Sequence, residues 1–340
     1  MRDLLYVEMS ADMANVVVVC RAIHVNEAVQ SGLGGQHTVT IFDKPDRVAL
    51  QESLAPADII ICSGMGLPRQ FVDADALAAA PNLKLIQQFG VGKEVMDLAA
   101  AHERKVWVAT LPEANSVAVA ETGLFLIFAL AKQLKAMQKT LAAGKFATPL
   151  GDEVFGKRYC IIGVGNIGSA LSSRLRALGG EVVAVDHASR SGAAKSVGVS
   201  KLYAPAELHA ALTGADTVVL CVPYTNATHD LIGEREIQVM GPGARLVNLA
   251  RGEIVHRESL ETAIFSGTLS GYATDVGWDE PVDLDELLWQ QDNVIVTPHI
   301  GATTRETIDL NLQLVKENIR RVEDGAEPLF LVAEDTGGRA

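Results

Sequence analysis

Residues Lys157 to Asp186, KRYCIIGVGNIGSALSSRLRALGGEVVAVD, leave the chain few folding options. An apolar, strand-like run, Tyr159–Ile162, enters Gly163-Val-Gly165-Asn-Ile-Gly168. A helical pattern follows to Leu178, Gly179-Gly180 stops it, and a second apolar run ends on Asp186. That is one β-α-β unit. Gly163 suits a tight turn, Gly165 lets the backbone approach an anion with no Cβ in the way, and Gly168 lets the helix pack close to the strand. The first N–H groups of such a helix lack intrahelical acceptors and, with the positive end of its dipole, face whatever occupies the loop. Asp186, 18 residues beyond Gly168, stands where a carboxylate accepts hydrogen bonds from ribose hydroxyls. Strand, loop, helix, strand and terminal acid together spell dinucleotide binding.

The length of 340 residues predicts two or three domains, each able to bury its own core. A hydrophobic content of 48% suits parallel strands covered on both faces. The net charge of −13 argues against nucleic acid or an anionic membrane surface as a partner. Cys20, Cys62, Cys160 and Cys221 each fall in an apolar run, without metal-type spacing, and read as buried, reduced thiols; no metal is expected. The most apolar stretch, Gly123–Ala131, is nine residues long, far short of a membrane span, and no signal-peptide pattern opens the chain. A cytoplasmic location is the expectation.

Met1–Ala14 carries no pattern and reads as a ragged lead-in. Five apolar runs follow, Val16–Cys20, Thr38–Phe42, Asp58–Cys62, Leu83–Gln87 and Val106–Ala109, spaced for a five-stranded parallel sheet with helices between. Cys62-Ser63-Gly64-Met65-Gly66 and Phe89-Gly90-Val91-Gly92-Lys93 lie just past two strand ends, where open α/β sheets bind ligands. Glycine there lets backbone N–H groups point at an anion; a plain turn is the alternative. Asn115–Gly144, with an apolar stripe at 3.6-residue spacing, predicts one long helix crossing between domains. Six further strands are predicted at Tyr159–Ile162, Glu181–Val185, Thr217–Val222, Arg245–Leu249, Ser270–Asp275 and Val294–Thr297. Thr304–Asp324 predicts a second long helix returning the chain to the first domain, which is then discontinuous, and Glu334–Ala340 reads as a frayed tail.

Three residues end later strands of the second sheet: Arg251 after Val247–Ala250, Glu280 after Asp275, and His299 after Val294–Thr297. In a parallel sheet all three share the carboxyl edge with the glycine loop. Hydride transfer between a nicotinamide and a hydroxy acid needs a cation for the carboxylate, a proton donor or acceptor for the alcohol oxygen, and a group that keeps that donor correctly protonated. Arg251, His299 and Glu280 supply them. Taken singly, each has a plainer reading, as a strand-end arginine, a structural histidine and a solvated turn acid.

Their order and wording resemble the D-isomer-specific 2-hydroxyacid dehydrogenases over about 300 residues. The resemblance rests on Gly90–Gly92, Asn115 with Val119-Ala120-Glu121, Gly163–Gly168, VPYTNATHDLI at Val222–Ile232, NLARGEIV at Asn248–Val255, ATDVGWDEP at Ala273–Pro281 and TPHIGATT at Thr297–Thr304. It implies that Arg251 binds the substrate carboxylate, that His299 is the acid/base and that Glu280 pairs with it. It implies substrate contacts from Met65, Val91, Gly92, Arg251 and His299. It also implies NAD contacts from Gly163, Gly165, Asn166, Ile167, Gly168, Asp186, Val222, Pro223, Thr228, Ala250 and Asp275, the last toward the nicotinamide carboxamide. The implied fold is α/β with two doubly wound parallel-sheet domains: a Rossmann dinucleotide-binding domain, 116–298, inserted in a flavodoxin-like substrate domain, 1–115 with 299–340. The implied protein is a homodimer that reduces a small 2-oxoacid with NADH, or runs the reverse. Glu94-Val95, Lys93 and Gly277 depart from the family's usual wording and bear on substrate choice, of which glyoxylate or hydroxypyruvate is the first expectation. The alternative is an NAD(H)-sensing interaction protein of the same fold, like the family's transcriptional corepressor.

Overall fold

The structure is a computed structural model that describes residues 13–44 and 46–333. The predicted tail at 334–340, and the predicted lead-in apart from its last two residues, lie outside the described residues. The chain divides into two compact units, Met1–Ala114 with Ile308–Ala340, and Asn115–Thr307.

In the first unit, β1 (Asn15–Val19), β2 (Thr38–Phe42), β3 (Ile59–Cys62), β4 (Leu85–Gln88) and β5 (Trp107–Ala109) form one parallel sheet in the order β2-β1-β3-β4-β5. Alternate residues of the same strands feed different cores. Val17, Val19 and Ile60 pack with Leu50, Leu54 and Leu77, whereas Val16, Val18 and Ile61 pack with Val25, Leu33, Val315 and Ile319. Covering both faces with helices is why these strands are unbroken apolar runs. Val315 and Ile319 belong to the helix Arg305–Glu323, so the C-terminal return completes this core. On that helix, fully buried Asn318 donates to Gln87 Oε1 at 2.7 Å and accepts from the Leu329 N–H at 2.6 Å, satisfying its own amide and tying the following segment down.

In the second unit, β6 (Arg158–Ile162), β7 (Glu181–Val185), β8 (Lys201–Tyr203), β9 (Thr217–Leu220), β10 (Arg245–Asn248), β11 (Gly271–Thr274) and β12 (Val294–Val296) form a parallel sheet ordered β12-β11-β10-β9-β6-β7-β8. It has seven strands where six were expected. The extra one, β8, is a three-residue edge strand opened by the exposed Lys201, too short to show a strand period. The sheet grows in opposite directions from β6, so the switch point lies between the carboxyl ends of β6 and β9.

The single helix expected over Asn115–Gly144 is two, Ser116–Ala131 and Leu134–Ala142, bent by 55°. Gln133 between them adopts φ 53°, ψ 54°. The first helix buries Val119, Leu126, Ile127 and Leu130 on the sheet, while the second buries nothing. The stripe continues in sequence past the point where packing ends, and periodicity does not register a left-handed residue. Lys132 Nζ and Gln133 Nε2 hold the break by donating to the carbonyls of Asp152 and Leu150. Among the described residues, no single helix is long and apolar enough to cross a membrane.

Candidate active site

The glycine loop shows why each glycine is there. Gly163 adopts φ +96°, and a Cβ on it would lie 2.8 Å from the carbonyl oxygen of Cys221, across the switch point. A Cβ on Gly168 would lie 1.9 Å from the Gly163 carbonyl oxygen, so only glycine lets the helix Asn166–Ala177 start so close to β6. Gly165 differs: its Cβ would meet nothing within 4 Å. That opening faces a helix whose N-terminus has no side-chain cap, and whose first turn holds Asn166, Ile167 and Gly168. Asp186 accepts from the Val164 N–H at 2.7 Å through one oxygen and from the His187 N–H at 2.7 Å through the other. It therefore ties the loop to the end of β7 and keeps lone pairs for further donors. An open cradle at Gly165, uncapped helix donors and a carboxylate fit the pyrophosphate and ribose of a dinucleotide. After β9, Thr228 Oγ1 donates to the Pro223 carbonyl and accepts from the Thr225 N–H, both at 2.8 Å, which closes the loop carrying Val222 and Pro223.

The titratable residues are built from β10, β11 and β12. Asn248, fully buried, accepts from the Ala250 N–H at 2.9 Å and donates to the Arg251 carbonyl at 2.7 Å, bracketing the turn that presents Arg251. Arg251 Nη1 donates to the Ala250 carbonyl at 2.7 Å. Asp275, only 5% exposed, accepts from Thr297 Oγ1 at 2.6 Å, the Ile300 N–H at 2.9 Å and the Gly301 N–H at 2.6 Å. The carboxylate thus shapes the loop that carries His299, and a Cβ on Gly301 would sit 2.6 Å from Asp275 Oδ2 and push that carboxylate aside. This clamp explains why the chain enters the first unit at Ile308 and not at the predicted 299: the His299 loop is anchored to β11 and belongs with the second unit.

His299 adopts φ +54°, a left-handed conformation that costs energy in a residue with a Cβ and recurs at functional sites. Its Nδ1 lies 2.8 Å from Glu280 Oε2, and Glu280 Oε1 accepts from the Gly277 N–H at 3.3 Å. Burial pushes the Glu280 carboxyl upward. The His299 hydrogen bond and charge, the Gly277 N–H and the Arg251 charge outweigh it and hold the group below its ordinary value. An ionised carboxylate only accepts, so the proton of this bond sits on Nδ1 and Nε2 is left for a ligand.

In the first unit, Val91 and Gly92 follow β4 just past Gly90, which adopts φ +146°. Among the described residues their N–H groups donate to no protein acceptor. Met65, after β3, is half-buried against the core. Among the described residues no group of three or more His, Cys, Asp or Glu side chains could hold a metal ion. Sequence reasoning missed Asn248 and Thr297 as architects of the site. Its reading of Asp275 did not include the loop clamp, which only the adjacency of the DV and TPHIG motifs could have suggested.

The profile of the D-isomer-specific 2-hydroxyacid dehydrogenase NAD-binding domain matches residues 124–301. D-3-phosphoglycerate dehydrogenase of Mycobacterium leprae is 33% identical over 89% of this chain and 56% of its own length. Glyoxylate reductase of Korarchaeum cryptofilum is 30% identical over 78% of this chain and 80% of its own. Among solved structures, the NADPH-dependent glyoxylate/hydroxypyruvate reductase of Sinorhizobium meliloti, in complex with NADP and malonate, superposes with a TM-score of 0.81 at 25% identity, covering 94% of this chain and 97% of that one. The chain belongs to the D-isomer-specific 2-hydroxyacid dehydrogenase family. Its dinucleotide-binding unit is that family's NAD-binding domain, and its cofactor is a nicotinamide dinucleotide. The chain spans about half the length of the phosphoglycerate dehydrogenases it matches.

Proposed function

We propose that this protein is an NAD(H)-dependent D-2-hydroxyacid dehydrogenase that interconverts a small 2-oxoacid, of the glyoxylate or hydroxypyruvate kind, and its 2-hydroxyacid. The observation that carries the reading is the 2.8 Å contact between His299 Nδ1 and Glu280 Oε2, with Arg251 close enough to act on the Glu280 charge. When bound, the dinucleotide supplies or accepts the hydride. The Arg251 guanidinium holds the substrate carboxylate in a planar fork. His299 gives a proton from Nε2 to the carbonyl oxygen in reduction and takes it back in oxidation, while Glu280 stabilises the imidazolium and fixes the ring. Asn166, Ile167, Gly168 and Ala250 contribute to holding the dinucleotide through backbone groups, and Asp275 keeps the His299 loop formed beside it.

Leu141, Phe146, Leu150 and Phe155 are 77, 90, 92 and 71% exposed in the second unit. Apolar side chains displayed in such number support the expected homodimer; Phe146→Ser with Leu150→Ser then yields a monomer by light scattering. All four cysteines are free, in keeping with a reducing, cytoplasmic setting. The test of the activity is a screen of small 2-oxoacids with NADH, followed at the cofactor's absorbance. Turnover of glyoxylate or hydroxypyruvate supports the reading. Tight NADH binding with no turnover of any oxoacid overturns it in favour of a dinucleotide-sensing interaction protein.

A further inference from the structure

The loop that carries Glu280 is joined to the turn that carries Arg251 at two points. The first is a backbone contact. A Cβ on Gly252 would lie 2.3 Å from the Gly277 carbonyl oxygen and 2.6 Å from the Trp278 nitrogen, so it is the glycine at 252 that lets these loops meet. The second is Trp278. Its indole N–H donates to the Val255 carbonyl at 2.9 Å, and Val255 closes the 3-10 turn Gly252–Ile254 through its N–H to Gly252. The ring itself is held on three sides. Tyr272 of β11 lies 6.5 Å away, Trp289 lies 5.8 Å away, and the Arg257 guanidinium sits 5.4 Å above it. Arg257 is in turn fixed by ion pairs to Glu261 and Glu286, and Glu286 also accepts from the Trp289 indole N–H at 3.0 Å. Next to this anchored ring in sequence is the Gly277 N–H that orients Glu280.

We propose that Trp278 is a positioning residue for the Glu280–His299 pair. Its indole locks the loop of Val276 to Pro281 onto the turn after Arg251, and so fixes the Gly277 N–H and, through it, the Glu280 carboxylate. Trp278 touches none of the reacting atoms. Its contribution is that one Glu280 oxygen stays on the Gly277 N–H and the other on His299. The charged groups facing the pair are Arg251 on the preceding turn and Asp275 beneath the His299 loop. Arg257, Glu286 and Asp279 face the indole instead. The mechanism rests on the dehydrogenase reading, but the juxtaposition does not.

The experiment follows the His299 Cε1–H resonance through a pH titration by NMR, assigned by its loss in His299→Asn. Parent, Trp278→Phe, Gly252→Ala, Glu280→Gln and Trp278→Phe/Glu280→Gln proteins are compared. Trp278→Phe keeps a ring in the stack, removes the N–H bond and trims part of the ring's packing; it should move the titration to lower pH, part of the way to Glu280→Gln. Gly252→Ala should move it in the same direction. In the Glu280→Gln background, Trp278→Phe should add nothing. The accompanying kinetic expectation is a kcat lowered about fivefold to tenfold, the weight of one hydrogen bond, with the NADH Kd unchanged. Titrations of both single variants superimposable on the parent would overturn the proposal, whatever happens to Tm. So would a full shift in the Glu280→Gln background, because the effect then bypasses Glu280. The titration needs no turnover: a parent inactive on every oxoacid would sink the dehydrogenase reading and leave the positioning role decided on its own.

Discussion

Glu280 and His299 meet at 2.8 Å between Oε2 and Nδ1, although one follows β11 and the other β12. The two side chains are 28 and 29% exposed, so the pair is shielded enough for its charges to couple and open enough for a ligand to reach Nε2. Removing the carboxylate charge while keeping its shape, in Glu280→Gln, withdraws the stabilisation of the imidazolium. The falling limb of oxoacid reduction should then move to lower pH, and the rising limb of hydroxyacid oxidation should move with it. Paired kcat/KM–pH profiles on one substrate decide the matter; superimposable limbs would dissolve the dyad. The same pair contributes to stability with a definite sign. The folded Glu280 carboxyl sits below its unfolded value, so the contribution is present above that unfolded value and is lost as pH falls through the folded one. Glu280→Gln should therefore flatten the acid side of the stability curve, read as the denaturation midpoint against pH.

Arg251 is set by Asn248, whose amide bonds both neighbouring backbone groups. The turn is therefore rigid, and the guanidinium geometry becomes the variable that matters. Arg251→Lys keeps the charge and loses the fork. The expected result is a loss in kcat/KM on the order of 100-fold, with NADH binding nearly unchanged by fluorescence titration. Parent-like reduction of oxoacids by this variant would make Arg251 structural.

Both sheets are legible in the sequence because parallel strands covered on each face are uninterrupted apolar runs. Tyr159–Ile162 and Thr217–Val222 announce themselves in this way; Lys201–Tyr203, an edge strand of three residues, cannot. The 55° break at Gln133 is equally silent, since the stripe stays in phase while the packing ends. In the site, the carboxyl-edge rule places Arg251, Glu280 and His299 on one side of one sheet. What links them is written across distant segments: Asp275 shapes a loop 25 residues further on. His299 at positive φ runs against the propensity of a residue with a Cβ. Those features depend on tertiary contacts that no local pattern encodes.

Cofactor choice turns on Asp186. Each of its oxygens is held by one backbone N–H, which aims the carboxylate at the loop and keeps it in place. A fixed negative charge accepts a ribose 2′-OH and repels a 2′-phosphate, so kcat/KM should favour NADH over NADPH. Arg190, in the short 3-10 turn that follows, is the cation available to a phosphate. Asp186→Ser should narrow the ratio, and Arg190→Ala should leave NADH use unchanged. Equal kcat/KM for the two cofactors in the parent protein would overturn the assignment.

The fingerprint glycines separate into a folding glycine and a binding glycine. A Cβ on Gly168 would stand 1.9 Å from the Gly163 carbonyl oxygen, a backbone clash that only movement of the helix Asn166–Ala177 away from β6 can relieve. Gly168→Ala should therefore cost about 1–3 kcal/mol in unfolding free energy and weaken NADH binding as a consequence. Gly165 sits at φ −76° with nothing within 4 Å of the added carbon. Its conformation suits alanine, so Gly165→Ala should leave Tm at or slightly above the parent value. The new methyl group would nonetheless occupy the space where a pyrophosphate approaches the backbone, and NADH affinity should drop. Calorimetry of Tm beside titration calorimetry of NADH binding reads both quantities on the same two variants. A destabilised Gly165→Ala, or one that binds NADH as the parent does, would show that the opening at Gly165 is not the cofactor's cradle.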